Sequence, residues 1–252
     1  MRIFESTADW RAYRRANADR ALGFVPTMGA LHDGHVSLIE RSLRENERTL
    51  VSIFVNPTQF DDPADLEAYP DRLAADATIL RRLGVPYLLH PTYADLYRDD
   101  YRYRVSEQPF SRALCGAHRD GHFDGVLTVV MKLLNIAGAR RAYFGEKDFQ
   151  QLTLVEGMVE AFFMDVEIVA CPTIRERDGL ALSSRNLKLD PDRRRGAAAF
   201  PRALAESASA AEARARLEAA GFAVDYVEDR DGRRFGAVRL GDVRLIDNVV
   251  LG

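Results

Sequence analysis

Between Ala21 and about Pro172, short apolar runs alternate with amphipathic stretches, and turn-forming residues punctuate the boundaries. This is the pattern of a parallel α/β sheet, since neighbouring parallel strands need a crossover, usually a helix, to join them. Leu22-Gly23-Phe24-Val25 predicts a buried strand cut off by Pro26, and Leu50 to Val55 predicts a second, stopped by Asn56-Pro57. Strands are also expected at Val85 to Leu89, Ala142 to Phe144 and Val166 to Ala170. Helices are expected over Gly34 to Glu45, Leu73 to Leu83, Asp124 to Ile136 and onward from Phe149, where apolar residues recur at helical spacing.

After Pro172 the pattern changes. Ala197 to Ala220 is rich in Ala, Glu and Arg and predicts one helix. Val224 to Val227, Phe235 to Leu240 and Val243 to Ile246 predict three short strands with Gly-containing turns. A small α+β unit therefore follows the α/β sheet, and 252 residues suffice for both. No internal repeat is present. A net charge of −3 argues against a nucleic-acid partner, and the Arg193-Arg194-Arg195 run is expected to be a solvated helix face. Charges interrupt every apolar stretch before it reaches membrane-spanning length, and Met1 to Glu5 lacks the apolar core of a secretion signal. Cys115 and Cys171 are far apart without metal-ligand spacing; two lone thiols suit a reducing compartment, so the cytoplasm is the expected location.

Four stretches carry chemistry. In Met28-Gly29-Ala30-Leu31-His32-Asp33-Gly34-His35 a strand ends, a turn follows and a helix begins. Strand carboxyl ends collect ligands in open α/β sheets, and a helix N-terminus there favours phosphate. His32 and His35 could donate ring hydrogen bonds to phosphate oxygens, or simply cap the helix. Gly145-Glu146-Lys147-Asp148 is a second strand-to-helix turn, with Lys147 as a point charge; as a lone motif it equally describes a solvated turn. Leu182-Ser183-Ser184-Arg185 offers two hydroxyls and a guanidinium as a phosphate clamp, while Ser183 or Ser184 could also cap a helix. Gln59 follows the second strand and Gln150-Gln151 opens the helix after the Gly-Glu-Lys-Asp turn, giving neutral amides to grip a small polar substrate.

Together with His122 to Val130 and the closing Arg244-Leu245-Ile246-Asp247-Asn248, these segments resemble the pantothenate synthetase (pantoate–β-alanine ligase) family, within the nucleotidyltransferases that share a His-x-Gly-His signature. The matching stretches run nearly the full chain in the family's order. The resemblance implies a Rossmann-like nucleotide- and pantoate-binding domain over residues 1–172, then a small lid domain over residues 173–252, and a homodimer. It implies that ATP adenylates pantoate and that β-alanine then displaces AMP, with Mg²⁺ on the phosphates. By matching positions, Met28 to His35, Gly145 to Asp148, Ile174 and Leu182 to Arg185 would contact ATP, with His35 the proton donor; His32, Lys147 and Arg185 would share the catalysis. Gln59 and Gln151 would hold pantoate, and Asp76 falls at an acidic position near the metal.

The chain departs from the family pattern at Asp71-Arg72, Ala75 and Arg177, and a strand-bearing segment between Ala220 and Phe235 looks missing, which shortens the lid. Two other readings share parts of the pattern. Another adenylyl-transferring enzyme of the superfamily would keep the histidines but not the Asn56 to Phe60 stretch or the glutamine pair. A silent nucleotide-binding module would not be expected to keep His32, His35, Lys147, Ser183, Ser184 and Arg185 together.

Overall fold

The computed structural model describes residues 1–17 and 21–251. Six strands form one sheet: β1 (Arg2–Phe4), β2 (Leu22–Thr27), β3 (Arg48–Ile53), β4 (Tyr87–Leu89), β5 (Arg141–Gly145) and β6 (Glu167–Cys171). Every pairing is parallel, in the order β1-β4-β3-β2-β5-β6. The helices between them are α1 (Thr7–Ala16), α2 (Asp33–Glu45), α3 (Pro63–Glu67), α4 (Leu73–Arg82), α5 (Tyr93–Leu96), α6 (His122–Ala137) and α7 (Phe149–Ala161). Side chains alternate across the strands as the pleat requires. Phe24, Leu50, Leu89, Ala142 and Phe144 pack with α1, α6 and α7 on one face. Val25, Val51, Leu88, Tyr143 and Val169 pack with Ile39 of α2 and Leu80 of α4 on the other. The strands are thus covered on both sides, which is why they read as continuous apolar runs.

The strand order places the site. From β2 the chain builds outward through β3 to β4, then returns across the sheet to set β5 on the other flank of β2. Beyond the carboxyl ends of β2 and β5 the flanking connections diverge, and this switch point is where open α/β sheets leave a crevice. The histidine stretch leaves β2 and the Gly-Glu-Lys-Asp turn leaves β5, so residues more than a hundred positions apart open into the same space.

The C-terminal unit contains α8 (Pro191–Gly196), α9 (Ala199–Glu206), α10 (Ala210–Ala219) and an antiparallel sheet β7 (Ala223–Arg230), β8 (Arg233–Leu240) and β9 (Val243–Val250). Its two faces serve different neighbours. Val227, Val238 and Leu245 pack on Phe200, Leu204 and Leu217 of α9 and α10, whereas Tyr226, Phe235 and Ala237 join the core of the first sheet. Asp231-Gly232, both at positive φ, close the β7–β8 hairpin in the left-handed conformation that two-residue turns favour.

Several expectations need correction. Pro26 does not end β2: the strand continues in register with β3 (Pro26↔Ser52), past Phe24, its last pairing with β5, and a strand with one neighbour tolerates proline as an edge does. The single helix expected over Ala197 to Ala220 is broken at Ser207. There the buried Arg234 guanidinium takes the carbonyls of Leu204 and Ser207, Ser209 accepts from Glu212 N (3.2 Å), and Glu212 accepts from Ala208 N (2.8 Å). Strand β7 is longer than the Val224 to Val227 run suggested, extending over Ala223–Arg230. Strand β1 and helix α1, which apolar patterning did not reveal, add an edge strand and bury Trp10. Cys115 and Cys171 are free and buried. Among the described residues no helix is long and apolar enough to cross a membrane.

Candidate active site

The turn after β2 is held from behind. Gly29 (φ 81°) and Ala30 (φ 51°) are consecutive left-handed residues, a costly conformation for alanine. Asp76 of α4, 2% exposed, stabilises it: its two carboxylate oxygens accept from Ala30 N (2.8 Å) and Leu31 N (2.9 Å), and Gly29 N donates to Thr27 Oγ1 (3.1 Å). The turn delivers His32 to the N-cap of α2. His32 Nδ1 accepts from Gly34 N (3.2 Å) and His35 Nδ1 accepts from His32 N (3.4 Å), with ring centroids 4.1 Å apart. A β-carbon at position 34 would lie 2.8 Å from the His32 ring, so glycine leaves that ring its place. Because both Nδ1 atoms accept, each neutral imidazole carries its proton on Nε2. Burial, then the neighbouring His32 and Lys147, push His35 down to about 3; burial, then Lys147, lower His32 as well. At neutral pH the pair presents two uncharged Nε2–H donors.

The cap reading of these histidines holds, and it leaves both Nε2–H groups unused by the cap. Of the residues of this stretch expected to contact nucleotide, Met28, His32, Gly34 and His35 line the cleft. Gly29, Ala30 and Leu31 form the supporting turn, and Asp33 is exposed. Asp76 is absent from the cleft lining, and both of its oxygens accept from backbone N–H groups, so it braces the turn. Among the described residues no cluster of three or more His, Cys, Asp or Glu is arranged for a metal ion.

From β5, the 3₁₀ turn Glu146–Asp148 brings Lys147 into the same cleft, 3.8 Å from Asp148 Oδ1, with its charge acting on both imidazoles. Gly145 and Asp148 line the cleft too, whereas the Glu146 carboxylate turns to Arg233 (3.4 Å). Across the cleft, Ile174, Leu182, Ser183, Ser184 and Arg185 complete the wall. Ser183 caps the 3₁₀ turn Ser184–Lys188 by accepting from Arg185 N (3.2 Å), so this cap reading also holds. Asp65 of α3 binds Arg185 (2.9 Å) and Lys188 (3.2 Å) together. Arg194, expected to be a solvated charge, instead ties Glu176 and Asp178 at 2.6 Å each, fixing the segment that leads to Arg185.

The two glutamines reach the cleft from neighbouring strand ends. Gln59 Oε1 accepts from Asn56 (3.0 Å), while its Nε2 faces only the weak acceptor Met28 Sδ (3.2 Å) among the described residues. Gln151 lines the cleft with no side-chain partner among the described residues. Gln150 differs: it is buried, and its amide is committed to Cys115 N, Phe110 O and Ala113 O. A wall of Val126, Val129, Val130 and Leu133 from α6 faces these amides. Helix α6 can approach because residue 125 is glycine; a β-carbon there would lie 2.2 Å from Thr58 O. The cavity of ≈ 290 Å³ is on the scale of a small-molecule site.

Sequence reasoning missed three supports. Asn56 (1% exposed) sets Gln59 and accepts from Tyr97 Oη (2.8 Å). His122 Nδ1 donates to Gln59 O (2.7 Å), and Arg119 donates to His122 Nε2 (3.2 Å) and to Asp61 (2.7 Å). Burial, then Arg119, hold His122 down at about 3. Asn248, from the far C-terminus, bonds the turn that carries Lys147. His122 and Asn248 both lie in stretches that carry the family resemblance, which marked the segments without revealing which partners these side chains hold.

The buried imidazoles predict a pH effect on stability. The unfolded chain protonates His35 and His122 near 6.5, the folded chain only near 3. The unfolded state therefore gains protons first, and stability falls as pH drops below 6.5. At pH 5 each imidazole should cost up to about 2 kcal/mol. Urea unfolding at pH 7.5 and pH 5 should show this loss, reduced in His122→Asn; an unchanged unfolding free energy in the parent would refute it.

Comparison with known proteins bears on this arrangement. The Pantoate-beta-alanine ligase family model matches residues 2–250. A pantothenate synthetase from Bdellovibrio bacteriovorus is 56% identical over 98% of both chains, and one from Legionella pneumophila (strain Lens) is 49% identical over the whole of both. The crystal structure of a pantoate-beta-alanine ligase from Francisella tularensis, complexed with beta-gamma ATP and beta-alanine, superposes at a TM-score of 0.95 with 39% identity, covering 99% of this chain and 97% of that one. A pantothenate synthetase from Thermus thermophilus gives 0.91 at 41% identity, with 99% coverage of both. Similarity of this extent, in sequence and in three dimensions from one terminus to the other, means that the chain belongs to the pantoate-beta-alanine ligase family.

Proposed function

We propose that this cleft condenses pantoate with β-alanine at the expense of ATP. One observation carries the reading: two Nε2–H imidazoles, the Lys147 ammonium, the Arg185 guanidinium and two amides line a single cavity at the sheet's switch point. In the first step a pantoate carboxylate oxygen attacks the α-phosphorus, and the bond to pyrophosphate breaks. Negative charge moves onto the leaving group, where donors fixed in advance stabilise it most. His32 and His35, being neutral, donate hydrogen bonds without a counter-ion of their own; Lys147 and Arg185 supply charge. In the second step the β-alanine amine attacks the acyl carbon, AMP leaves with its phosphate oxygen, and the nitrogen loses a proton as the amide forms.

Gln59 and Gln151 would hold the pantoate hydroxyls and leave its carboxylate unquenched, while the α6 valines face its methyl groups. The antiparallel sheet, as part of a lid domain over residues 173–252, would keep water from the acyl adenylate. The Francisella relative, with its beta-gamma ATP and beta-alanine, supports two of the three substrates. Mg²⁺ would travel on phosphate oxygens and water, as it commonly does, because the described residues build no cage for it. A homodimer in the cytoplasm completes the proposal, the two free thiols suiting a reducing compartment.

A coupled assay that omits each substrate in turn tests this. Pyrophosphate exchange should need ATP and pantoate but not β-alanine, and release of AMP should need all three. Exchange with another acid and not with pantoate would refute the reading. In Gln59→Ala the KM for pantoate should rise about 10- to 100-fold, the loss of one or two hydrogen bonds to polar or charged groups. The KM for ATP should move far less; equal rises would remove Gln59 from pantoate binding.

A further inference from the structure

The turn that presents Lys147 lacks local support. Among the described residues, neither the 3₁₀ turn Glu146–Asp148 nor the start of α7 has a side-chain cap. Its carbonyls are held from the other sheet. Asn248 of β9, 4% exposed, donates both amide hydrogens into the turn, to Glu146 O (2.9 Å) and Lys147 O (3.1 Å). Its Oδ1 accepts from Arg233 (2.7 Å), whose guanidinium carbon lies 3.8 Å from the Phe149 ring centroid at the start of α7. This fixes the amide orientation, since the oxygen faces a cation and the nitrogen faces two carbonyls.

The preceding residue ties the second phosphate-facing segment to the same strand. Asp247, 4% exposed, accepts from Arg175 through both oxygens (2.6 and 2.9 Å), the paired geometry that sets direction as well as energy. Asp247 Oδ1 also accepts from Asn248 N (2.8 Å). Arg175 donates further to Gly179 O (3.0 Å) and Asn248 O (3.3 Å). It thereby anchors the connector that carries Ile174 and leads on to Leu182 and Arg185. Two adjacent residues of β9 thus grip both the turn that carries the ammonium and the loop that carries the guanidinium.

We propose that Asn248 is a positioning residue for Lys147, and that Asp247-Asn248 together set the spacing between the two cations that meet the triphosphate. The C-terminal sheet then does more than cover the cleft: it holds part of the phosphate site in place. The inference rests on Lys147 acting on phosphate, and the test separates the two. Asn248→Asp keeps the shape and strengthens the pairing with Arg233, yet turns an acceptor toward the two carbonyls. In the full-length enzyme its pyrophosphate exchange should fall about 10- to 100-fold, as small misplacements of reacting groups do. The loss should lie in the handling of ATP, with the KM for pantoate within about twofold. Melting should drop by several degrees because two carbonyls lose their donors, so exchange is read at a temperature where circular dichroism shows the variant folded.

In a Lys147→Ala background, Asn248→Asp should cause little further loss, because its target is gone. Parental exchange in Lys147→Ala alone would refute the role of Lys147, whatever Asn248 does. Exchange lost in Lys147→Ala but parental in Asn248→Asp would overturn the present inference, as would losses that multiply in the double variant.

Discussion

Replacing His35 with alanine is expected to lower pantoate-dependent pyrophosphate exchange by about 10²- to 10³-fold, the scale for removing one preorganised donor from a developing anion. The expectation follows from the tautomer. His35 Nδ1 accepts from His32 N, so Nε2–H is the atom left to face the cleft. His35, moreover, is held down at about 3, so it enters the reaction as a neutral donor and not as a standing cation. The fold should lose little, because the bond at His32 N is long (3.4 Å) and one cap is worth about 1 kcal/mol. His35→Gln, which restores an N–H donor on a flexible arm, should fall between parent and alanine. Turnover near the parental rate in His35→Ala would take the residue out of the mechanism.

Asp76→Ala should be the most damaging change to the fold among those considered. Ala30 N and Leu31 N would lose the carboxylate that accepts from both at a buried position, and unsatisfied buried donors cost about 1–3 kcal/mol each. Nothing would then offset the left-handed pair at Gly29 and Ala30. A loss of about 2–5 kcal/mol is expected, with melting lowered by roughly 2–4 °C per kcal/mol for a chain of this size. Exchange activity should fall with it, since the same turn sets His32 at its cap. A metal ligand would behave otherwise. If Asp76 held Mg²⁺, the variant would melt like the parent and need far more Mg²⁺ for half-maximal activity; that result would sink the assignment of Asp76 to the turn.

The contrast between these residues shows what the sequence could convey. His32, His35, Lys147 and Arg185 were legible because each sits where a strand or loop ends, and a parallel sheet gathers such ends at one edge. The alternating strands were legible for the same reason, being apolar on both faces. Asp76 was harder to place because an acid near a phosphate site fits two roles; its oxygens accept from Ala30 N and Leu31 N, which the sequence did not reveal. Asn248 and Asp65 lie 101 and 120 residues from the partners they hold, a relation that no local pattern encodes. The break at Ser207 escaped because Ala, Glu and Arg favour helix throughout, while the cause is a buried arginine arriving from β8.

Asp65 gives the cleft a selectivity of its own. Arg185 and Lys188 already share a carboxylate, so an arriving anion meets a guanidinium whose charge is partly balanced. A lone inorganic phosphate would gain less from such a cation than from a bare one. A polyphosphate long enough to touch Lys147 and the imidazoles at the same time adds contacts that the carboxylate never made. A balanced cation of this kind would favour ligands that reach several donors at once.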